Sequence, residues 1–383
     1  MDGYLRRTWV RIDLDNLSFN FAAIRRRLHP HTQIMGVVKA DAYGHGAVAV
    51  ASQLQADGAD MLGVSNFNEA LQLRQAGIVL PILILGYTPP ALTAALLEND
   101  LMQTVYCHEQ ARLLQMECRK LNQRLKIHLK IDTGMSRLGF SCGDALGDLL
   151  DVCLLSEFDI CGLFTHFSCA DDPAFTSTQM SRFMAIRREL IKNLKKSYVT
   201  HCANSQAVIH YPYTHLDMVR PGLILYGQMP SVPAENTWGL KPVMSFHSVI
   251  SQVKAVRQGD GVSYGHRYVA DGDRTLAVVP VGYADGYPRV LSNQANALIH
   301  GQFAPLRGNV CMDMSLFDVT GSHASVGDEV VLFNEQMPLS LLADKADTIT
   351  YEMMCSIGKR VPRVYVKNGV ECGFEDLVTG HKI

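Results

Sequence analysis

The chain has 383 residues, enough for about two to three domains with large buried cores. Lysine and arginine number 35 against 37 aspartates and glutamates, a formal charge of −2, which excludes a strongly basic nucleic-acid binder as the first reading. With 48% hydrophobic and 19% charged residues it is not a disordered chain.

Residues 1–15 hold no apolar stretch of signal-peptide length. The most apolar run, 78–85, is broken by Pro81 and falls far short of the ~20 residues a membrane span needs. A soluble, cytoplasmic protein is therefore expected. Residues 15–29 place Leu17, Phe21, Ile24 and Leu28 at helical spacing. Short apolar runs follow at 33–39, 61–65, 81–86, 102–106, 126–131, 160–166, 198–203 and 218–220. They are rich in Val, Ile and Leu on consecutive positions, as strands buried on both faces are. Helical patterns lie between most of them; 178–194 puts Phe183, Ile186, Leu190 and Leu194 on one face. Strict alternation predicts a parallel sheet with right-handed crossovers, and this many units predict a closed (β/α)₈ barrel. A doubly wound open sheet is the alternative, but no Gly-x-Gly-x-x-Gly follows the first strand.

Beyond about residue 240 the texture changes. Strands are predicted at 248–256, 275–281, 295–300, 315–319 and 329–333, between turns such as Gly259-Asp260-Gly261 and Gly327-Asp328. A helical pattern returns only at 339–358. The fold class is thus α/β: an N-terminal TIM-like (β/α)₈ barrel over 1–235 and a C-terminal mostly-β domain over 236–383, with a linker at 230–238. The ten cysteines show no Cys-x-x-Cys spacing, so no zinc or thioredoxin motif is expected. They read as buried reduced thiols of a reducing compartment.

Functional residues of such barrels sit at the C-terminal ends of the strands. Lys39 ends the first apolar run. Desolvation there favours a neutral amine able to form a Schiff base. Taken alone, a lysine at that place more often reaches out to solvent. The tight loop Ala40-Asp41-Ala42-Tyr43-Gly44-His45-Gly46 can bring backbone and a tyrosine hydroxyl close to an anion. Asn204-Ser205, opening a short helix after the seventh run, and the backbone of Gly222 and Leu223 after the eighth are further anion donors.

These residues carry a resemblance. Val37-Val38-Lys39-Ala40-Asp41-Ala42-Tyr43-Gly44-His45-Gly46 resembles the pyridoxal-phosphate attachment motif of the alanine racemase family. The likeness recurs in order at His128-Leu129-Lys130-Ile131-Asp132-Thr133-Gly134-Met135-Ser136-Arg137-Leu138-Gly139, Thr165-His166-Phe167, Arg220-Pro221-Gly222 and Val262-Ser263-Tyr264-Gly265. It continues at Gly282-Tyr283-Ala284-Asp285-Gly286-Tyr287, Gly308-Asn309-Val310-Cys311-Met312-Asp313 and Thr350-Tyr351-Glu352. One short motif is weak; eight in register along nearly the whole chain are strong.

The resemblance implies an amino-acid racemase with pyridoxal 5′-phosphate as cofactor, alanine as substrate and a homodimer with shared sites. Racemisation needs one base on each face of Cα. By resemblance, Lys39 attaches the cofactor and acts as one base, and Tyr264 of the partner subunit is the other, hydrogen-bonded by His166. A phenol ionises near ~10, so such a base needs a supporting network. Arg220 lies against the pyridine nitrogen and, keeping its own proton, leaves that nitrogen unprotonated. Tyr43 and Tyr351 add phosphate hydroxyls, Met312 offers its N–H to the substrate carboxylate, and Arg137 contacts the cofactor and helps place that carboxylate. Tyr283 and Tyr351 narrow the entrance. Lys130 stands where many members carry a carbamylated lysine that anchors the arginine; the alternative is a plain salt bridge with Asp132 or a neighbour. Some relatives have tyrosine at the place of Phe164, extending a chain from the arginine through His201; here that hydroxyl is missing. No metal site is expected.

Three other readings compete with this one, and the first is of the same fold type. A decarboxylase carries a Gly-Gly-Gly phosphate loop and a glutamate at the pyridine nitrogen, where this chain has Arg220. A non-catalytic cofactor-binding barrel lacks the β domain with Tyr264 and Met312. A serine-preferring or broad-specificity racemase is closer, but Tyr351 leaves little room for a hydroxymethyl group.

Overall fold

The computed structural model describes residues 7–143, 146–196, 198–230 and 236–382. Eight strands form a closed parallel barrel: Gln33–Val37, Met61–Val64, Ile82–Ile84, Leu101–Val105, Leu125–Asp132, Phe158–Phe164, Val199–His201 and Met218–Val219. Each pairs with the next in sequence, and Met218 closes the ring on Gln33. Every predicted barrel strand overlaps one of these. Met61–Val64, Ile82–Ile84 and Leu101–Val105 are buried at every position, as expected where helices cover the outside and packed side chains fill the inside. Helix Leu14–Arg25 starts where the Asp13 side chain accepts the Asn16 N–H, and Pro173–Leu194 starts on Asp172 in the same way.

Side chains alternate along a strand, so one face of each strand lines the barrel interior. Met35, Met61, Leu83, Met102 and Met218 pack together there as an apolar plug. Methionine fills such irregular space well. Lys39 comes four residues after Met35 and Arg220 two after Met218, both just past the ends of their strands. The plug seals one end of the barrel and leaves charge at the other.

The rest of the chain builds an eight-stranded sheet in the order Gln302–Pro305, Asn296–Ile299, Glu329–Phe333, Met244–Val249, Thr8–Asp13, Arg363–Lys367, Val370–Asp376 and His381–Lys382. A three-stranded sheet of Gln252–Val256, Arg274–Val279 and Ser315–Asp318 lies beside it in sequence. Three expectations need correction. Strand Thr8–Asp13, grouped with the barrel half by the division at 235/236, pairs antiparallel with Met244–Val249 and parallel with Arg363–Lys367. The single strand expected at 248–256 is two strands in different sheets, because Ile250 N turns to Asp328 O and Ser251 N to Val278 O. The helix expected at 339–358 splits into Leu339–Lys345 and Thr350–Cys355 around Asp347, whose φ is +53°. Of the linker expected at 230–238, residues 231–235 lie outside the described residues. No helix among the described residues is long and apolar enough to cross a membrane.

Candidate active site

A cavity of about 310 Å³ opens at the charged end of the barrel. Lys39, Tyr43, Lys130, Arg137, His166, Asn204, Ser205, Arg220, Gly222, Leu223 and Tyr351 all line it, so eleven of the predicted site residues meet there. The strand ends bring them together: Lys39 follows the first strand, Lys130 belongs to the fifth, His166 follows the sixth, Asn204 the seventh and Arg220 the eighth.

Arg220 is the buried centre of the polar wall. It donates to His201 Nδ1 at 2.8 Å, Thr165 O at 2.8 Å, Cys202 O at 3.2 Å and His166 Nδ1 at 3.2 Å. Burial pulls its pKa down to about 10, so it stays charged at neutral pH. A guanidinium only donates, hence His166 Nδ1 accepts and its proton sits on Nε2. Burial first, and then Arg220, hold the His166 and His201 pKa values well below the usual range, so both rings are neutral. The Phe164 ring stacks on His201 at 4.7 Å with an 8° interplanar angle and also faces Arg220 and Lys130.

Lys39 is half-buried, and burial followed by the nearby Arg137 charge lowers its pKa. The four residues after it, Ala40 to Tyr43, have φ of +52 to +55° and ψ of +42 to +52°, one turn of left-handed helix. For L-residues this costs roughly 1–2 kcal/mol each, so the surroundings must hold it. Gly44 ends the turn at φ +80°, and a Cβ there would lie 2.3 Å from Met354 O, in the helix that carries Tyr351. The turn thus points Tyr43 at Tyr351, with ring centroids 5.8 Å apart. A Cβ on Gly222 would sit 2.6 Å from the Tyr43 hydroxyl, so glycine leaves that hydroxyl its place.

Some polar atoms are already engaged. Asn204 caps its short helix, accepting Ala207 N at 3.0 Å. Gly222 N donates to Ser205 Oγ at 3.0 Å. Lys130 is buried, and burial, Arg137 and then Arg220 push its pKa down to about 8. The salt bridge with Asp132 does not form: Asp132 Oδ1 accepts the N–H groups of Gly134, Met135 and Ser136 instead.

The remaining predicted residues lie elsewhere. Tyr264 is 73% exposed, Met312 52% and Tyr283 43%, and none of them lines the cavity. They share one surface. Asn309 Nδ2 donates to Tyr264 O at 2.7 Å, Tyr283 N to Cys311 O at 3.0 Å and Ala284 N to Met312 O at 3.1 Å.

Sequence reading passed over Ser65, Leu85 and Gly86 in the cavity wall, and also Glu69 and Arg363 behind it. Only Glu69 left a trace, in Asn66-x-x-Glu69 at a helix start. His128, on the fifth barrel strand, is a further member of the polar wall that no motif marks by its role. Its Nδ1 lies 2.9 Å from His201 Nε2, in the space that Gly162 leaves open.

A closed parallel barrel with a lysine-bearing polar mouth, joined to mostly-β sheets, defines a TIM-barrel protein with an added β part. The alanine racemase N-terminal domain matches residues 12–230 and the alanine racemase C-terminal domain residues 243–365. The alanine racemase of Desulfovibrio desulfuricans is 43% identical over 371 residues, 96% of this chain and 100% of that one. That of Halothermothrix orenii is 44% identical over 367 residues, 94% and 97% of the two chains. The structure matches alanine racemase from Clostridium difficile with a TM-score of 0.94 at 37% identity, covering 98% of this chain and 100% of that one. It matches the Bacillus anthracis enzyme with bound L-Ala-P at 0.91 and 31%, covering 98% and 99%. The chain belongs to the alanine racemase family.

Proposed function

We propose that the protein interconverts L- and D-alanine with pyridoxal phosphate, using Lys39 on one face of Cα and Tyr264 of a second copy on the other. One observation carries this reading: Lys39 lines the cavity, whereas Tyr264 stands exposed outside it on the surface it shares with Met312 and Tyr283. A second copy laying that surface over the barrel mouth completes the site, so the working form is a homodimer.

The cavity's donors fit the cofactor. The hydroxyls of Tyr43, Ser205 and Tyr351, the Asn204 amide and the Leu223 backbone are neutral donors suited to a phosphate, and Gly222 keeps their cradle open. Arg220 suits the ring nitrogen and Lys39 the aldehyde carbon. When bound, pyridoxal phosphate supplies the electron sink that lets the Cα–H bond break. Lys39 Nζ takes or returns that proton on one face, helped by a lowered pKa that makes the neutral amine accessible. Tyr264 Oη does so on the other, with His166 Nε2–H the donor available to it. Arg220 keeps its own proton from the ring nitrogen, which disfavours the misplaced protonation that ends in transamination. Arg137 and the Met312 N–H hold the substrate carboxylate, while Tyr351 and Tyr283 restrict the side chain to methyl size and so favour alanine over serine.

Lys130, buried beside Arg137, Arg220 and Lys39 with no carboxylate hydrogen-bonded to it among the described residues, suits a carbamate that pairs with Arg137. The ten unpaired cysteines, of which only Cys118 and Cys202 are buried rather than most of them as expected, suit a reducing cytoplasm, where the D-alanine formed would feed peptidoglycan.

Subunit mixing tests the reading. Lys39→Ala and Tyr264→Phe proteins are each expected to lose most activity, and a mixed dimer holds one intact site of two. With free exchange at equal amounts, about half the dimers are mixed, which restores roughly a quarter of wild-type activity. Differently tagged subunits that pair yet stay at background would refute shared sites.

A further inference from the structure

The turn after Lys39 has local hydrogen bonds, such as Ala42 N to Val38 O and Gly46 N to Asp41 O, and two charged side chains outside the cavity grip its opposite ends. At its start, Ala40 N donates to Glu69 Oε1 at 2.9 Å. The other oxygen of that carboxylate accepts Ser65 N at 2.6 Å, tying the end of the first barrel strand to the end of the second. Glu69 is itself fixed in the first turn of helix Phe67–Gln75, where the Asn66 side chain accepts its N–H at 3.1 Å. At the far end, Gly44 O accepts from Arg363 Nε at 3.2 Å. The other donors of this buried guanidinium go to Val361 O at 2.7 Å, Gly358 O at 2.9 Å and Ile357 O at 3.2 Å. That carbonyl-rich segment follows the helix bearing Tyr351. Between the two ends, Asp41 Oδ1 accepts Ala47 N at 2.8 Å.

We propose that Glu69 and Arg363 are positioning residues for Lys39, clamping the left-handed turn to the barrel at one end and to the β part at the other. The proposal rests on the reading of Lys39 as the cofactor lysine. A misplacement of ~1 Å at a reacting amine costs on the order of 10²-fold in rate, so a turn with this much strain needs both anchors. Glu69 has a second, separable effect. Burial first and then Arg137 oppose the Lys39 charge, while Glu69, and Cys355 once ionised, favour it; the nearby Lys130 charge is in turn opposed by Lys39.

The test reads the amine, not turnover. Full-length protein freed of cofactor is treated with pyridoxal phosphate across a pH series. Nζ and the aldehyde carbon form a C=N bond with loss of water, and borohydride delivers the hydride that makes the label permanent. Peptide mapping then gives the rate at Lys39. Glu69→Gln removes the charge and one acceptor. Its high-pH plateau is expected to fall about tenfold, and the midpoint of its pH profile to move down, while circular dichroism shows folded protein. Glu69→Asp keeps the charge but shortens the reach, so its plateau falls with the midpoint near wild type. Arg363→Lys keeps the charge and loses the fork, with the same expected result. If that variant does not fold, the two Glu69 variants decide. A Glu69→Gln plateau equal to wild type, or a midpoint that stays put, overturns the proposal. A wild-type label on a lysine other than Lys39 overturns the reading of Lys39 itself, and the clamp with it.

Discussion

Arg220 Nη1 donates to Nδ1 of His201 across 2.8 Å, and that bond sets the tautomers of two buried imidazoles. The guanidinium cannot accept, so the His201 proton sits on Nε2 and is donated to His128 Nδ1 at 2.9 Å. His128 therefore carries its own proton on Nε2, which has no partner among the described residues. His128 thus extends the chain that runs from Arg220 through His201, while Phe164 stacks on His201.

His128→Leu should leave the buried His201 Nε2–H without an acceptor. The expected loss is about 1–3 kcal/mol of stability, read as a lower urea midpoint with an unchanged slope. No loss would mean that His201 does not donate to His128.

Lys130 makes stability depend on pH in a direction the sign of its shift determines. Its folded pKa is about 8, below the 10.5 of a free lysine. Between those values the unfolded chain binds more protons, so this group's contribution rises with pH across that window and is unfavourable below it. Lys130→Met in cofactor-free protein should thus be more stable than wild type at pH 7, with the advantage shrinking from about pH 8 upward. Added bicarbonate should also shrink it if a carbamate forms. Thermal melts of both proteins across the range would check this; parallel curves would exclude the effect.

Tyr264→Phe removes one exposed hydroxyl, so folding and cofactor binding should survive. Loss of a positioned acid–base group lowers the rate by ~10²–10⁴-fold. The loss falls on one face of Cα, so solvent deuterium exchange should become unequal between the two enantiomers. Equal residual exchange would argue against a two-base mechanism.

Gly44→Ala meets two obstacles, a φ of +80° and Met354 O at 2.3 Å from the new Cβ. Relief must move the turn or the helix carrying Tyr351. We expect a loss of about 1–3 kcal/mol and weaker retention of pyridoxal phosphate on dialysis, measured by absorbance of the released cofactor. Wild-type retention would show that the contact between Gly44 and Met354 is dispensable.

By itself the sequence determined the barrel and most of its mouth. Eight apolar runs, most of them separated by helical patterns, select a parallel sheet and favour the closed barrel over the open alternative, and they place Lys39 and Arg220 at strand ends. Tertiary structure decided what depends on partners far along the chain. Strand Thr8–Asp13 joins the second sheet because its hydrogen-bonding partners, Met244–Val249 and Arg363–Lys367, are more than two hundred residues away. No local pattern announces a left-handed turn of Ala40, Asp41, Ala42 and Tyr43, since that conformation is unfavourable for each of them and its contacts with Glu69, Arg363 and Met354 come from other segments of the chain. The same holds for Tyr264, whose motif names its chemistry, while only the folded chain places it on the surface and Lys39 in the cavity.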